Sequence, residues 1–184
     1  MIKTDALILR PWKNSDLDPF FDMSSDPNVM AYFMNTLSRK QCASMMDRIN
    51  DQIAEHGFGF WAIEVPGVTD FAGFVGLSIP NFETNFTPCV EIGWRLGSAH
   101  QGFGYATLGA HLSLAYGFEH CALEEIVSFA VPENHRSIAV MERLGMSRDA
   151  DDDFAHPSIP ANHPLSQHVL YRISQDRWAK HHNS

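Results

Sequence analysis

At 184 residues, with 45% apolar and 19% charged side chains, the chain can bury a core and fits one globular domain spanning 1–184. Thirteen Lys and Arg against 22 Asp and Glu leave a formal charge of -9, which argues against a nucleic-acid backbone or an anionic membrane as the main partner and leans toward an amine. Cys42, Cys89 and Cys121 are scattered without a CxxC pair and no apolar run nears the roughly 20 residues of a spanning helix, so a disulfide framework, a thiolate zinc site and a membrane anchor are disfavoured and a reducing cytoplasm is expected.

"ALILRPW" (6–12), aliphatic and ended by Pro11, reads as a first strand, and nothing before it has the h-region of a signal peptide. "NSDLDPFFDMSS" (14–25) predicts a helix capped by Asn14 or Ser15, with Asp16 and Asp18 at the positive end of its dipole. The clearest helix is 38–57, with Ser38 and Gln41 as a capping box, Cys42, Met45, Met46, Ile49 and Ile53 on one face, and Gly57 at its end. Strands at 59–65, 71–79 and 89–96, separated by "PGVTD" and "PNFETNFTP", form an antiparallel meander. After "HQGFGYATLGA" (100–110) comes a helix to about His120, then a strand (124–131), a helix (134–145) and a last strand (167–174). Strands on both sides of the third helix require a crossover, so the sheet is mixed, in an α/β or α+β domain. The polar connection 148–166 lacks periodicity and is expected to lie over one end of the sheet.

Two glycines one residue apart, Gly102 and Gly104, precede the third helix. A dinucleotide fingerprint would need a small residue where Thr107 stands, and a P-loop would need a Gly-Lys-Ser/Thr that is absent. What remains is a turn whose helix offers its first free amides beyond the end of a strand, where a pyrophosphate fits.

The run Gln101-Gly102-Phe103-Gly104-Tyr105-Ala106 resembles the Q/R-x-x-G-x-G/A signature of the GCN5-related N-acetyltransferases (GNATs). "VEIGWRL" is similar to that family's fourth strand and "NHRSIAVMERLGM" to its second coenzyme-contacting helix, while "LILRPWKNSDLDPFF" and "HVLYRISQDRW" resemble the ribosomal-protein alanine acetyltransferase branch, so the likeness covers nearly the whole chain. It implies a single-domain acyl-coenzyme A N-acyltransferase fold, a mixed central sheet of about seven strands flanked by helices and splayed between the fourth and fifth. It also implies acetyl coenzyme A as co-substrate and a small amine or a protein N-terminal amine as acceptor; the Cys and His spacings give no reason to expect a metal. Gln101, Gly102, Phe103, Gly104, Tyr105, Ala106 and Thr107 would cradle the pyrophosphate; the backbone of Trp94, Arg95 and Leu96 would hold the pantetheine arm, with Asn134 and Ser137 contacting the coenzyme from the second helix. Asn134 equally suits a helix N-cap. Oligomeric state stays open, a homodimer included.

An amine must be neutral to attack, so a base is useful. Strand alternation puts Glu91, Gly93 and Arg95 on one face, and the family often carries a general-base Glu on this strand; the structural alternative is a Glu91–Arg95 pair. Many relatives place an acidic Tyr where Met141 stands, so Ser137, one turn earlier, becomes the candidate donor to the departing thiolate, with Tyr105 and Tyr171 as further phenols. No cysteine has the local His or basic partner of a nucleophile, so direct transfer in a ternary complex is expected and Cys89 is the only thiol worth testing; His156 and His163 near "RDADDD" match no compact metal motif, which leaves solvated or loop-anchoring roles for them. An acidic "RDADDD" could attract a cationic amine or be a solvated turn. Trp12, Phe33 and Trp61 could wall an acceptor pocket or fill the core. A non-catalytic acyl-coenzyme A sensor, resting on Met141, and an oxidoreductase reading "GFG" as a dinucleotide turn are the rival readings.

Overall fold

The computed structural model describes residues 1–182, and among them lie nine strands and five α-helices. In chain order these are β1 (Ile2–Lys3), β2 (Ile8–Arg10), α1 (Leu17–Ser25), α2 (Arg39–His56), β3 (Phe60–Val65), β4 (Thr69–Ser78), β5 (Glu91–Leu96), α3 (Tyr105–Glu119), β6 (Glu125–Ala130), α4 (His135–Arg143), β7 (Ser147–Arg148), β8 (Phe154–Ala155), β9 (Gln167–Ser174) and α5 (Gln175–His182). The fold is mixed α/β, as expected. Residues 1–78 and 93–113 make one compact unit and residues 79–92 with 114 onward a second, so β5 and α3 each contribute to both.

In the first unit β2 pairs antiparallel with β1 and β3, and β3 with β4 through a hairpin turn at Gly67. The end of β5 joins β4, with Gly97 N donating to Ala72 O at 3.0 Å. The capping box of α2 forms as the sequence indicates, Gln41 N bonding the Ser38 hydroxyl, and Gly57 closes the helix at φ 77°. Its apolar face, Cys42, Met46 and Ile49, packs with Trp12, Phe20, Phe71 and Phe74 into one cluster, with Met45 and Ile53 at its edge. Burying each large side chain contributes roughly 1.5–3 kcal/mol. Trp12 sits among Phe20 and Phe71, with centroids 4.8 and 5.3 Å away, and its indole donates to Phe60 O at 2.7 Å.

One expectation fails here. Neither Asn14 nor Ser15 caps the first helix: the segment 14–16 is a 3-10 turn, and Asp16 accepts the Lys13 amide at 2.8 Å. Asp16 is no surface acid on the helix dipole either. It is 1% exposed and ion-paired with Arg10, whose Nη1 and Nη2 reach it at 2.7 and 2.9 Å. Arg10 also donates to Glu64 and to the carbonyls of Pro11 and Asp70. A buried guanidinium requires this full set of acceptors.

In the second unit, β6 and β9 form a six-residue antiparallel ladder from Glu125↔Ser174 to Ala130↔Val169. The parallel pairing of β5 with β6 is short: Glu91 registers with Val127, Val127 N donates to Val90 O, and Ser128 then uses its hydroxyl to reach Ile92 O at 2.9 Å. The six strands read from the sequence, about seven by the resemblance, become nine because β1, β7 and β8 are two-residue additions, the last two on β9. Segment 148–166 is therefore pinned to the sheet. Helix α5, also beyond the sequence reading, rests on Trp178, which is 5% exposed and packs on Phe118.

Segment 148–166 also brings His156 against Phe82, centroids 4.6 Å apart, and against His168 at 5.2 Å, with Phe129 and Phe154 around both rings. Burial holds both imidazoles below the ordinary histidine range. The unfolded rings titrate near about 6.5, so as pH falls through that value the unfolded chain takes up protons that the folded chain refuses, and stability drops. Melting temperature is expected to fall between pH 7.5 and 5.5, and the His156→Phe/His168→Phe variant should flatten that fall. An unchanged slope in a folded double variant would refute the assignment.

Candidate active site

The glycine turn is built from both ends. β5 stops at Leu96, a 3-10 turn covers Ser98–His100, and Gln101 folds its side chain back to donate to Leu96 O at 3.0 Å. Ser98 Oγ donates to Asp26 at 2.6 Å, which lowers the pKa of that carboxylate and fixes the turn to the segment after α1. Gly102 and Gly104 then take φ of 84° and 82°, the left-handed region, and α3 starts at Tyr105. A Cβ at either glycine would meet no atom within 4 Å, so the requirement is conformational and the turn faces open space. Farther along, Gly109 lets α3 lie against Val75, 2.6 Å from where its Cβ would stand. With no acidic residue in the first turn of α3, its free amides suit an anion. Phe103 is 68% exposed and stacks on Tyr105.

The faces of β5 follow the predicted alternation. Gly93 faces the Phe60 ring and Arg95 lies against Phe33 and Phe74, while Ile92 and Leu96 are buried on the opposite side. The guanidinium of Arg95 stacks on Phe33, and its Nε and Nη1 have no hydrogen-bond partner among the described residues. Trp94 is half-buried. Of the three aromatic candidates for an acceptor pocket, Trp12 and Trp61 are core residues, 6% and 2% exposed, and Phe33 is 43% exposed. Residues 94–107 and these three aromatics all belong to the first unit; Glu91, Asn134 and Ser137 belong to the second.

In the second unit, Glu91 is partly exposed at the start of β5. Asn134 is the N-cap of α4, its Oδ1 accepting Ser137 N at 3.2 Å, which leaves its amide nitrogen for another acceptor. Ser137 is partly exposed, whereas Met141, one turn on, is 1% exposed and part of the core. Tyr171 is buried, its hydroxyl bonded to Glu142 at 3.4 Å and its pKa raised by burial and by that carboxylate. Burial, then Glu91, pushes the Cys89 thiol up to about 11, which leaves it protonated and a poor nucleophile at neutral pH. The "RDADDD" acids are largely engaged: Asp153 pairs with Arg148, and Asp152 with Arg172 at 2.7 Å. His156 and His163 accept the amides of Ser158 and Leu165, and no metal-holding group of residues occurs among those described. The placement of the Arg95 side chain against Phe33 and Phe74 is the feature the sequence missed, having offered that side chain only as a partner for Glu91; an arginine amid apolar neighbours was the available signal.

The sequence profile of the acetyltransferase (GNAT) domain matches residues 6–147, well over half of the chain. The chain belongs to the GNAT family. This GNAT protein is 27% identical over 177 residues to the uncharacterized N-acetyltransferase YnaD of Bacillus subtilis, covering 96% of the one chain and 98% of the other. Its fold is similar to that of spermidine N-acetyltransferase from Vibrio cholerae, solved with CoA and spermine (TM-score 0.72, 18% identity, 96% and 99% covered). It is similar as well to ribosomal-protein-S5-alanine acetyltransferase from Vibrio fischeri (TM-score 0.73, 17% identity, 96% and 97% covered). Two GNAT structures with different acceptors in their names are thus about equally near, so the fold does not choose an acceptor. Family membership makes the protein an acyltransferase and overturns the dinucleotide reading of "GFG".

Proposed function

We propose that residues 1–184 act as one N-acetyltransferase domain, transferring acetyl from acetyl coenzyme A to a primary amine by direct attack. The observation that carries this reading is the open turn at Gly102 and Gly104, whose positive φ values lead into the amides of α3. Those amides hold the pyrophosphate, and the backbone of Trp94 to Leu96 takes the diamide arm. A lysine-like amine titrates near about 10.4 and an α-amine near about 8, so Glu91 removes a proton directly or through water before attack. Ser137 donates to the sulfur that leaves, and the elevated Cys89 pKa argues against a covalent intermediate. The motifs at the two ends of the chain group it with the ribosomal-protein alanine acetyltransferase branch, and three free thiols fit a cytoplasmic location.

Calorimetric titration with acetyl coenzyme A, with NAD as control, tests the donor, and a panel of primary amines tests transfer. The expected result is saturable binding of acetyl coenzyme A alone and release of free coenzyme A with at least one amine. Folded protein that binds neither compound would defeat the proposal.

A further inference from the structure

The acetyltransferase reading uses Arg95 only through its backbone, yet its partly buried side chain packs against apolar rings of the first unit. The guanidinium carbon is 4.1 Å from the centroid of the Phe33 ring and 5.3 Å from that of Phe74. Its Nε and Nη1 are shut off from solvent and donate to nothing among the described residues. Burial pushes its pKa down to about 10, and the one group opposing this is the Cys42 thiol, itself kept protonated by burial. Ser24 Oγ, beside that thiol, is likewise buried without a hydrogen bond of adequate geometry. Arg10 in the same unit shows what a structural guanidinium needs: two carboxylates and two carbonyls, all within 3.2 Å. Arg95 has none of these at Nε and Nη1, and a cation–π contact does not replace an oxyanion.

The cover over this cation is removable. Phe33 places one ring face on the guanidinium and is 43% exposed; it lies in the segment between α1 and α2 with Tyr32 and Met34, also exposed at 38% and 40%. Phe33 stands outside every helix and strand, so turning its side chain aside would require no change in one.

We propose that the Arg95 guanidinium, beneath Phe33, binds a carboxylate of the acceptor, so that the amine acetylated belongs to a carboxylate-bearing molecule of the amino-acid class. A polyamine would bring positive charge to a cation that lacks an anion. The proposal rests on the acetyltransferase reading and adds the acceptor class to it.

Full-length protein labelled with nitrogen-15 tests it through the Arg95 Nε resonance, identified by its loss in Arg95→Lys. With coenzyme A present, the protein is titrated with a panel of amino acids, their N-acetyl derivatives and the matching amides. Carboxylates in the panel should shift that resonance and their amides should not. In turnover assays the best carboxylate-bearing amine should exceed its amide by about 10- to 100-fold in kcat/KM, the range of a hydrogen bond to a charged group. Arg95→Met should bring that ratio near one. Equal shifts by acids and amides, or no shift by any acid, would overturn the proposal, and because this readout uses wild-type protein it survives a variant that fails to fold. Loss of acetyl coenzyme A binding in the wild type would instead sink the acetyltransferase reading, so the two failures are distinct.

Discussion

Gly104→Glu is expected to lower affinity for acetyl coenzyme A by at least about 100-fold, because a fixed carboxylate would stand where a pyrophosphate is read to bind. Fold should survive. A Cβ at this position meets no atom within 4 Å, so the structural penalty is confined to a φ of 82° in a residue that now has a side chain. That penalty is roughly 1–2 kcal/mol for a single left-handed residue. Gly104→Ala separates the two effects: it carries the same backbone strain without the charge, and it should bind far better than the glutamate variant. Calorimetry with a melting curve for each protein decides the matter. Equal binding by wild type and a folded Gly104→Glu would remove the pyrophosphate from this turn.

Glu91→Gln is expected to reduce kcat by about 10²- to 10⁴-fold while acetyl coenzyme A still binds, the range for a general base lost from a proton-transfer step. Glutamine preserves size and hydrogen bonding but cannot accept the amine's proton. The lost activity should recover partly as pH rises toward the pKa of the amine, since a growing fraction of acceptor then arrives neutral without help. A merely structural glutamate predicts something else: a lowered melting temperature, and a kcat deficit that stays constant with pH. Full activity in Glu91→Gln would dismiss the base outright.

Much of this was legible because a few residues have strong local physics. Ser38 with Gln41 announced the start of α2, Gly57 its end, and the Gly102–Gly104 spacing a turn at an anion-ready helix. Alternation along β5 separated Ile92 and Leu96 from Arg95 correctly. What escaped the sequence lies in long-range contacts. Asp16 looked like a surface acid near a helix start, because nothing local reveals that Arg10, six residues earlier, turns inward to meet it. Strands β7 and β8 are two residues each and exist only because β9 offers them an edge. Helix α5 is eight residues and mostly polar, and its anchor, Trp178, packs on Phe118, sixty residues earlier in the chain. Arg95 is expected from the sequence to offer its backbone to the coenzyme and its side chain to Glu91; that Nε and Nη1 lack acceptors among the described residues is a property of the packing around Phe33 and Phe74.

The two ion pairs that frame α1 differ in how they answer the medium. Arg10 and Asp16 sit at its approach with side chains 5% and 2% exposed, whereas Arg39 of α2 meets Asp18 of α1 with both side chains more than half exposed. Dissolved salt weakens the second pair and hardly reaches the first. The Arg10–Asp16 pair is therefore insensitive to ionic strength, while the Arg39–Asp18 pair weakens as salt rises and leaves the packing of α1 on α2 to the apolar cluster of Phe20, Met23, Met46 and Ile49. Between those helices runs the segment carrying Phe33, so dissolved salt touches the pair that joins the two helices flanking that ring and spares the buried pair at the approach to α1.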